Sequence, residues 1–153
     1  MEFKTVVCNL GDSLYGIDIT CVRGIEREQE IVQVPNTASY IKGIMNLRGE
    51  IIPIYSLRKK FGMEEKAADT QFVIVNIGEM PLAIEVDGVG EIFQADETTI
   101  YDAPRIVVSE NTRYIDKVLN DNGKLIITID ITELLDDDEK KHIERMVDNC
   151  KTE

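Results

Sequence analysis

Apolar and polar positions alternate along much of this chain, and the alternation comes in short blocks. Residues 3–10 and 71–77 are rich in β-branched and aromatic side chains, which predicts two strands. Each is followed by a turn-like break, Gly11-Asp12-Ser13 and Gly78-Glu79, and then by a second strand-like block at 14–19 and 81–86. Asn122-Gly123 separates the apolar stretches 114–119 and 125–129. Both residue types tolerate positive φ, so this pair predicts a tight hairpin. The tail differs. Ile143, Met146, Val147 and Cys150 fall at i, i+3, i+4 and i+7, the stripe of a helix over about 137–150, with Asp136 to Glu139 at the end where negative charge suits the helix dipole.

The blocks repeat. Val6-Val7-Cys8-Asn9-Leu10-Gly11 matches Val73-Ile74-Val75-Asn76-Ile77-Gly78 at an offset of 67, and the offset then pairs Ile17 with Ile84, Ile19 with Val86, Val22 with Val89 and Ile25 with Ile92. Further on, Tyr40-Ile41-Lys42-Gly43-Ile44-Met45-Asn46 matches Tyr114-Ile115-Asp116-Lys117-Val118-Leu119-Asn120 at an offset of 74, pairing Gly49 with Gly123 and Ser56 with Asp130. Two ordered blocks in the same order predict an internal duplication. The expected organisation is one domain, 1–153, made of a lobe over about 5–61, a connector at 62–70, a second lobe over about 72–135, and the C-terminal helix. Short strands at this spacing predict a mainly β fold of two small antiparallel barrels, with Ile17, Ile19, Ile84 and Val86 at equivalent inward positions.

Composition narrows the function. The chain is 43% hydrophobic and 30% charged, as globular proteins are, and carries a formal net charge of −12. That charge repels phosphate backbones and anionic headgroups, so neither nucleic acid nor direct membrane insertion is expected. Three cysteines without a CxxC pair fit a reducing cytosol, and with no signal-peptide pattern the expected location is cytoplasmic.

Catalytic chemistry has little to stand on. The one histidine, His142, lies on the tail helix off its apolar stripe. There is no Walker-type loop and no HExxH, and Gly88-Val89-Gly90 is a fragment of a dinucleotide fingerprint without its βαβ setting. Cys8 alternates with Val6 and Leu10 and reads as core; Cys21 has no nearby histidine. A small enzyme working with carboxylates alone is the alternative of another class. The expected class is a binding protein with no cofactor and no metal.

One hairpin carries more. Arg48-Gly49 stands where the second half has Asn122-Gly123. Arginine is a poor residue for a two-residue turn that needs positive φ twice, so either the turn is of another type or it tolerates strain to carry a guanidinium at its tip. Arginine is also favoured at protein interfaces; the plainer use of it here is to satisfy local carbonyls or a nearby carboxylate.

The stretch Tyr40-Ile41-Lys42-Gly43-Ile44-Met45-Asn46-Leu47-Arg48-Gly49, with Ile51-Ile52-Pro53-Ile54 and Leu57 after it, resembles the signature of the CheW family of chemotaxis coupling proteins. Tyr15-Gly16-Ile17-Asp18-Ile19, Val22 with Ile25, Pro35, and Val86-Asp87-Gly88-Val89 add to the resemblance, which covers about 3–135. It implies two five-stranded SH3-like barrels and a non-enzymatic, stand-alone adaptor joining the cytoplasmic tips of methyl-accepting chemoreceptors to the regulatory domain of the histidine kinase CheA. Such an adaptor is recruited to the inner face of the membrane through its receptors. The alternative within this resemblance is a paralogue scaffolding a non-chemotactic kinase array. The resemblance puts Val22, Gly24 and Arg48 in the receptor-binding region. The chain departs from the family pattern at Gly24, where glutamate is usual, at Cys8, where an aromatic is common, and at Lys117, where glycine is usual.

Overall fold

The computed structural model describes residues 3–27, 30–33, 40–64, 69–96, 98–102 and 113–151, with the side chains of residue 3 and of 146–151 left aside. In chain order the elements are β1 (Phe3–Leu10), β2 (Ser13–Asp18), a 3-10 turn (Ile19–Cys21), β3 (Val22–Glu26), β4 (Ile41–Leu47), β5 (Glu50–Ser56), α1 (Leu57–Lys60), β6 (Gln71–Ile77), β7 (Met80–Val86), β8 (Gly88–Ala95), β9 (Ile100–Asp102), β10 (Ile115–Asp121), β11 (Lys124–Ile129), α2 (Ile131–Leu134) and α3 (Asp137–Lys151). The fold is mainly β, as expected, and forms two sheets.

The sheets are not the two halves of the sequence. One runs β8-β1-β2-β11-β10-β9 and the other β3-β6-β7-β5-β4. Each combines the first two strands of one repeat with the later strands of the other: β1 and β2 with β8 to β11, and β6 and β7 with β3 to β5. The expected contiguous lobes at 5–61 and 72–135 are therefore interleaved in space. Chain length explains the exchange at β8. Only Asp87 separates β7 from β8. To pair beside β6 within its own half, β8 would have to pass β6 and reach a site two strand spacings from β7, roughly 10 Å. One linking residue does not reach that far at ~3.5 Å per residue. Strand β8 instead passes into the neighbouring sheet and pairs with β1, and β3 does the same with β6. The exchange also makes one ladder in each sheet parallel, β2 with β11 and β5 with β7, where antiparallel pairing throughout was expected.

The duplication survives in detail. Ser56 N–H donates to the Tyr40 carbonyl at 2.8 Å, and Asp130 N–H to the Tyr114 carbonyl at 2.7 Å. Ser56 caps α1 and Asp130 caps α2 with their side chains. Ile17, Ile84 and Val86 are buried as expected. Ile19 departs from the expectation: the Asp18 carboxylate accepts from Thr20 N–H at 3.0 Å, which starts the 3-10 turn and ends the strand one residue earlier. Lys117 also finds its reason. At the equivalent Gly43 a Cβ would lie 2.4 Å from the Val32 carbonyl oxygen, because Val32 bridges to Ile44. Lys117 instead faces β9, where its ammonium pairs with Asp102.

Among the described residues the buried apolar side chains form three clusters. Met45, Ile52, Ile54, Phe72, Ile74 and Ala83 line the inside of the β3–β4 sheet. Ala95, Leu119 and Ile126 line the inside of the other. The largest cluster lies between the sheets, with Ile17, Tyr55, Val73, Val75, Leu82 and Ile84 among its members, and takes in Ile131, Leu134 and Ile143 from the helices. Strands β6 and β7 are thus buried on both faces, which is why they read as unbroken apolar runs. Helix α3 starts at a reciprocal cap, Glu139 N–H to Asp136 Oδ1 at 2.7 Å and Asp136 N–H to Glu139 Oε1 at 3.3 Å. Ile143 is fully buried, while the rest of the expected stripe, Met146, Val147 and Cys150, lies outside the described side chains.

Candidate functional site

The β4–β5 hairpin closes in two residues, since Leu47 pairs directly with Glu50. Arg48 has φ +51° and Gly49 φ +88°; Asn122 and Gly123, at φ +51° and +91°, close the β10–β11 hairpin in the same way. In each turn an asparagine secures the glycine amide: Gly49 N–H donates to Asn46 Oδ1 at 2.9 Å and Gly123 N–H to Asn120 Oδ1 at 2.8 Å. The turn is therefore of the type that suits Asn-Gly, and Arg48 occupies a left-handed conformation that costs a non-glycine residue of its kind about 1 kcal/mol.

That conformation puts the Arg48 side chain in solvent, 81% exposed, with Glu26 Oε1 at 3.6 Å from its Nη2. Glu26 is on β3, at the far end of the five-strand order from β4. A second and tighter pair spans the same gap. Arg23 Nη1 donates to Glu50 Oε1 at 3.1 Å and its Nη2 to Oε2 at 2.8 Å, a two-pronged contact that raises the already high Arg23 pKa. The sheet thus curls until side chains of β3 meet the β4–β5 hairpin.

The three residues expected at the receptor surface separate along β3. Arg48 lies beside its C-terminal end, next to Glu26. Val22 lies at its N-terminal end, half-buried against the inter-sheet core. Gly24 sits between them, and a Cβ there would meet nothing within 4 Å, so the glycine is not demanded by packing. Ile25 is 44% exposed between Gly24 and Glu26, and its repeat partner Ile92 is 56% exposed on β8. Sequence reading did not single out Arg23, Glu50 or Ile25 as site residues. Arg23 and Glu50 are 27 positions apart, and no spacing rule predicts their contact; for Ile25 the repeat marked an apolar position but not its exposure.

Other recesses offer less. One of about 290 Å³ opens beside the start of α3, where the Lys60 ammonium lies 4.8 Å from the centre of the Tyr40 ring and 5.5 Å from that of Tyr114, near Arg113, Glu133 and Glu139. Burial pushes the Cys8 thiol up to about 12, the setting of an inert core cysteine. Among the described residues no group of three or more His, Cys, Asp or Glu side chains is placed to hold a metal ion, and no helix is long and apolar enough to cross a membrane.

Known proteins are similar to this chain in sequence and fold. The CheW-like domain family matches residues 4–139. The chain belongs to the CheW family. The chemotaxis protein CheW of Treponema pallidum is 32% identical over 139 residues, covering 87% of this chain and 82% of that protein. That of Klebsiella aerogenes is 34% identical over 136 residues, covering 88% and 82%. The crystal structure of the scaffolding protein TtCheW from Thermoanaerobacter tengcongensis superposes with a TM-score of 0.80 at 33% identity, covering 91% of this chain and 96% of that one. This CheW-family chain is an adaptor or scaffold of chemotaxis signalling and not an enzyme.

Proposed function

We propose that this chain couples the cytoplasmic tips of chemoreceptors to the regulatory domain of the histidine kinase CheA, in the cytoplasm at the inner face of the membrane. Strand β3 and the Arg48 turn face the receptor. The observation that carries this reading is Arg48 itself, a guanidinium held 81% exposed on a turn whose backbone disfavours it. The second half solves the same turn with asparagine, so folding alone gives no reason for an arginine. Ile25, on β3, is an exposed apolar side chain. In this reading Val22, Gly24 and Arg48 belong to the receptor-facing region, with Val22 and Gly24 on β3 and Arg48 at the hairpin tip. The kinase meets a different and more apolar surface, since charged groups at the centre of an interface are costly to desolvate.

Titration calorimetry with a receptor-tip fragment and with the kinase regulatory domain tests the reading. Arg48→Ala should weaken receptor binding by about tenfold or more, the effect of losing an arginine hot spot of ~2 kcal/mol. Kinase binding and the melting temperature should hold. Equal loss of both affinities, or no loss of either, overturns it.

A further inference from the structure

We propose that Arg23 and Glu50 form a clamp that positions Arg48 for its partner, and that Glu26 is the resting carboxylate a partner's acidic side chain displaces. The proposal rests on the receptor reading above and deepens it. Strands β3 and β4 stand at opposite ends of the sheet, and the strand order contains no ladder between them. Side chains bridge the gap between them. The two-pronged Arg23–Glu50 contact, at 3.1 and 2.8 Å, fixes one point of that gap, and Glu50 directly follows Gly49 at the foot of the turn. The turn itself is stiff: both of its central residues are left-handed and Asn46 holds the Gly49 amide. A stiff turn pinned at its foot carries its tip to a set place. Loosening the foot would swing Arg48 as a unit.

The contact that Arg48 makes in the resting protein is of another kind. Its 3.6 Å separation from Glu26 exceeds hydrogen-bond distance, and the arginine is 81% exposed. Exposed pairs of this sort are weak and readily exchanged. A partner carboxylate approaching along the open side of the guanidinium gains two short charge-assisted hydrogen bonds that Glu26 does not make. The epitope that fits Arg48 is therefore an acidic side chain. Gly24, with open space above its Cα, leaves room for that approach.

The test measures the affinity of a receptor-tip fragment and of the kinase regulatory domain for wild type, R48A, R23A, E50R and the double reversal R23E/E50R. R23A and E50R should each weaken receptor binding about three- to tenfold with kinase binding unchanged, and R23E/E50R should return to within about twofold of wild type, because the reversed pair restores the clamp without touching Arg48. E26Q should tighten receptor binding by up to about twofold, since it removes the competing charge. If R48A loses receptor binding but R23A does not, or if the double reversal stays as weak as E50R, the clamp is wrong and the receptor reading stands. If R48A binds the receptor fragment as wild type does, both are overturned.

Discussion

At Arg48 the chain keeps a side chain that its own duplicate shows how to replace. Asn122 takes the same φ of +51° in the equivalent turn, and asparagine tolerates that region better than arginine. Arg48→Asn should therefore stabilise the protein by about 0.5–1 kcal/mol while weakening receptor binding, a trade between stability and function. Denaturant unfolding beside calorimetry checks both signs; a less stable Arg48→Asn variant would show that the arginine serves the fold. Residue identity made this turn legible in the sequence, because the offset of 74 put Arg48 on Asn122 before any geometry was known. The Arg23–Glu50 pair was not legible, because it depends on how far a sheet curls, which no local pattern records.

Among the elements, α3 shows what an end-cap costs and gains. Asp136 accepts the Glu139 amide at 2.7 Å, so Asp136→Ala should lose about 1 kcal/mol. Glu139 is different. Burial raises its pKa, and Oε2 has no hydrogen-bond partner among the described residues. A carboxylate with a raised folded pKa binds its proton more tightly folded than unfolded. It weighs against stability at pH above the folded pKa, and the penalty fades as pH falls through that value. Glu139→Gln, which keeps the acceptor for Asp136 N–H, should match or exceed wild-type stability at neutral pH, and its advantage should shrink on acidification. Unfolding curves at pH 7 and pH 5 decide the matter; an advantage that grows on acidification contradicts it. The helix was read from a 3.6-residue stripe and the strands from alternation, whereas Ile19 was misplaced because the Asp18–Thr20 capping contact outweighed its apolar character.

For the whole molecule, the exchange of strands means that neither half of the sequence contains a complete sheet. The repeat was visible in the chain, but which copy pairs with which was not: at β8 the single-residue link at Asp87 rules out pairing within its own half, and the core is shared between the sheets. Unfolding should be one cooperative transition seen alike by circular dichroism and tyrosine fluorescence, and fragments 1–64 and 69–153 should fold only when mixed. Two separate transitions, or a folded 1–64 alone, would contradict the interleaved fold. The most direct test is sedimentation of this chain with a receptor-tip fragment and the kinase regulatory domain together. The expected result is a ternary complex that Arg48→Ala reduces to the chain–kinase pair; mutually exclusive binding of the two partners, or a ternary complex untouched by the substitution, would contradict it.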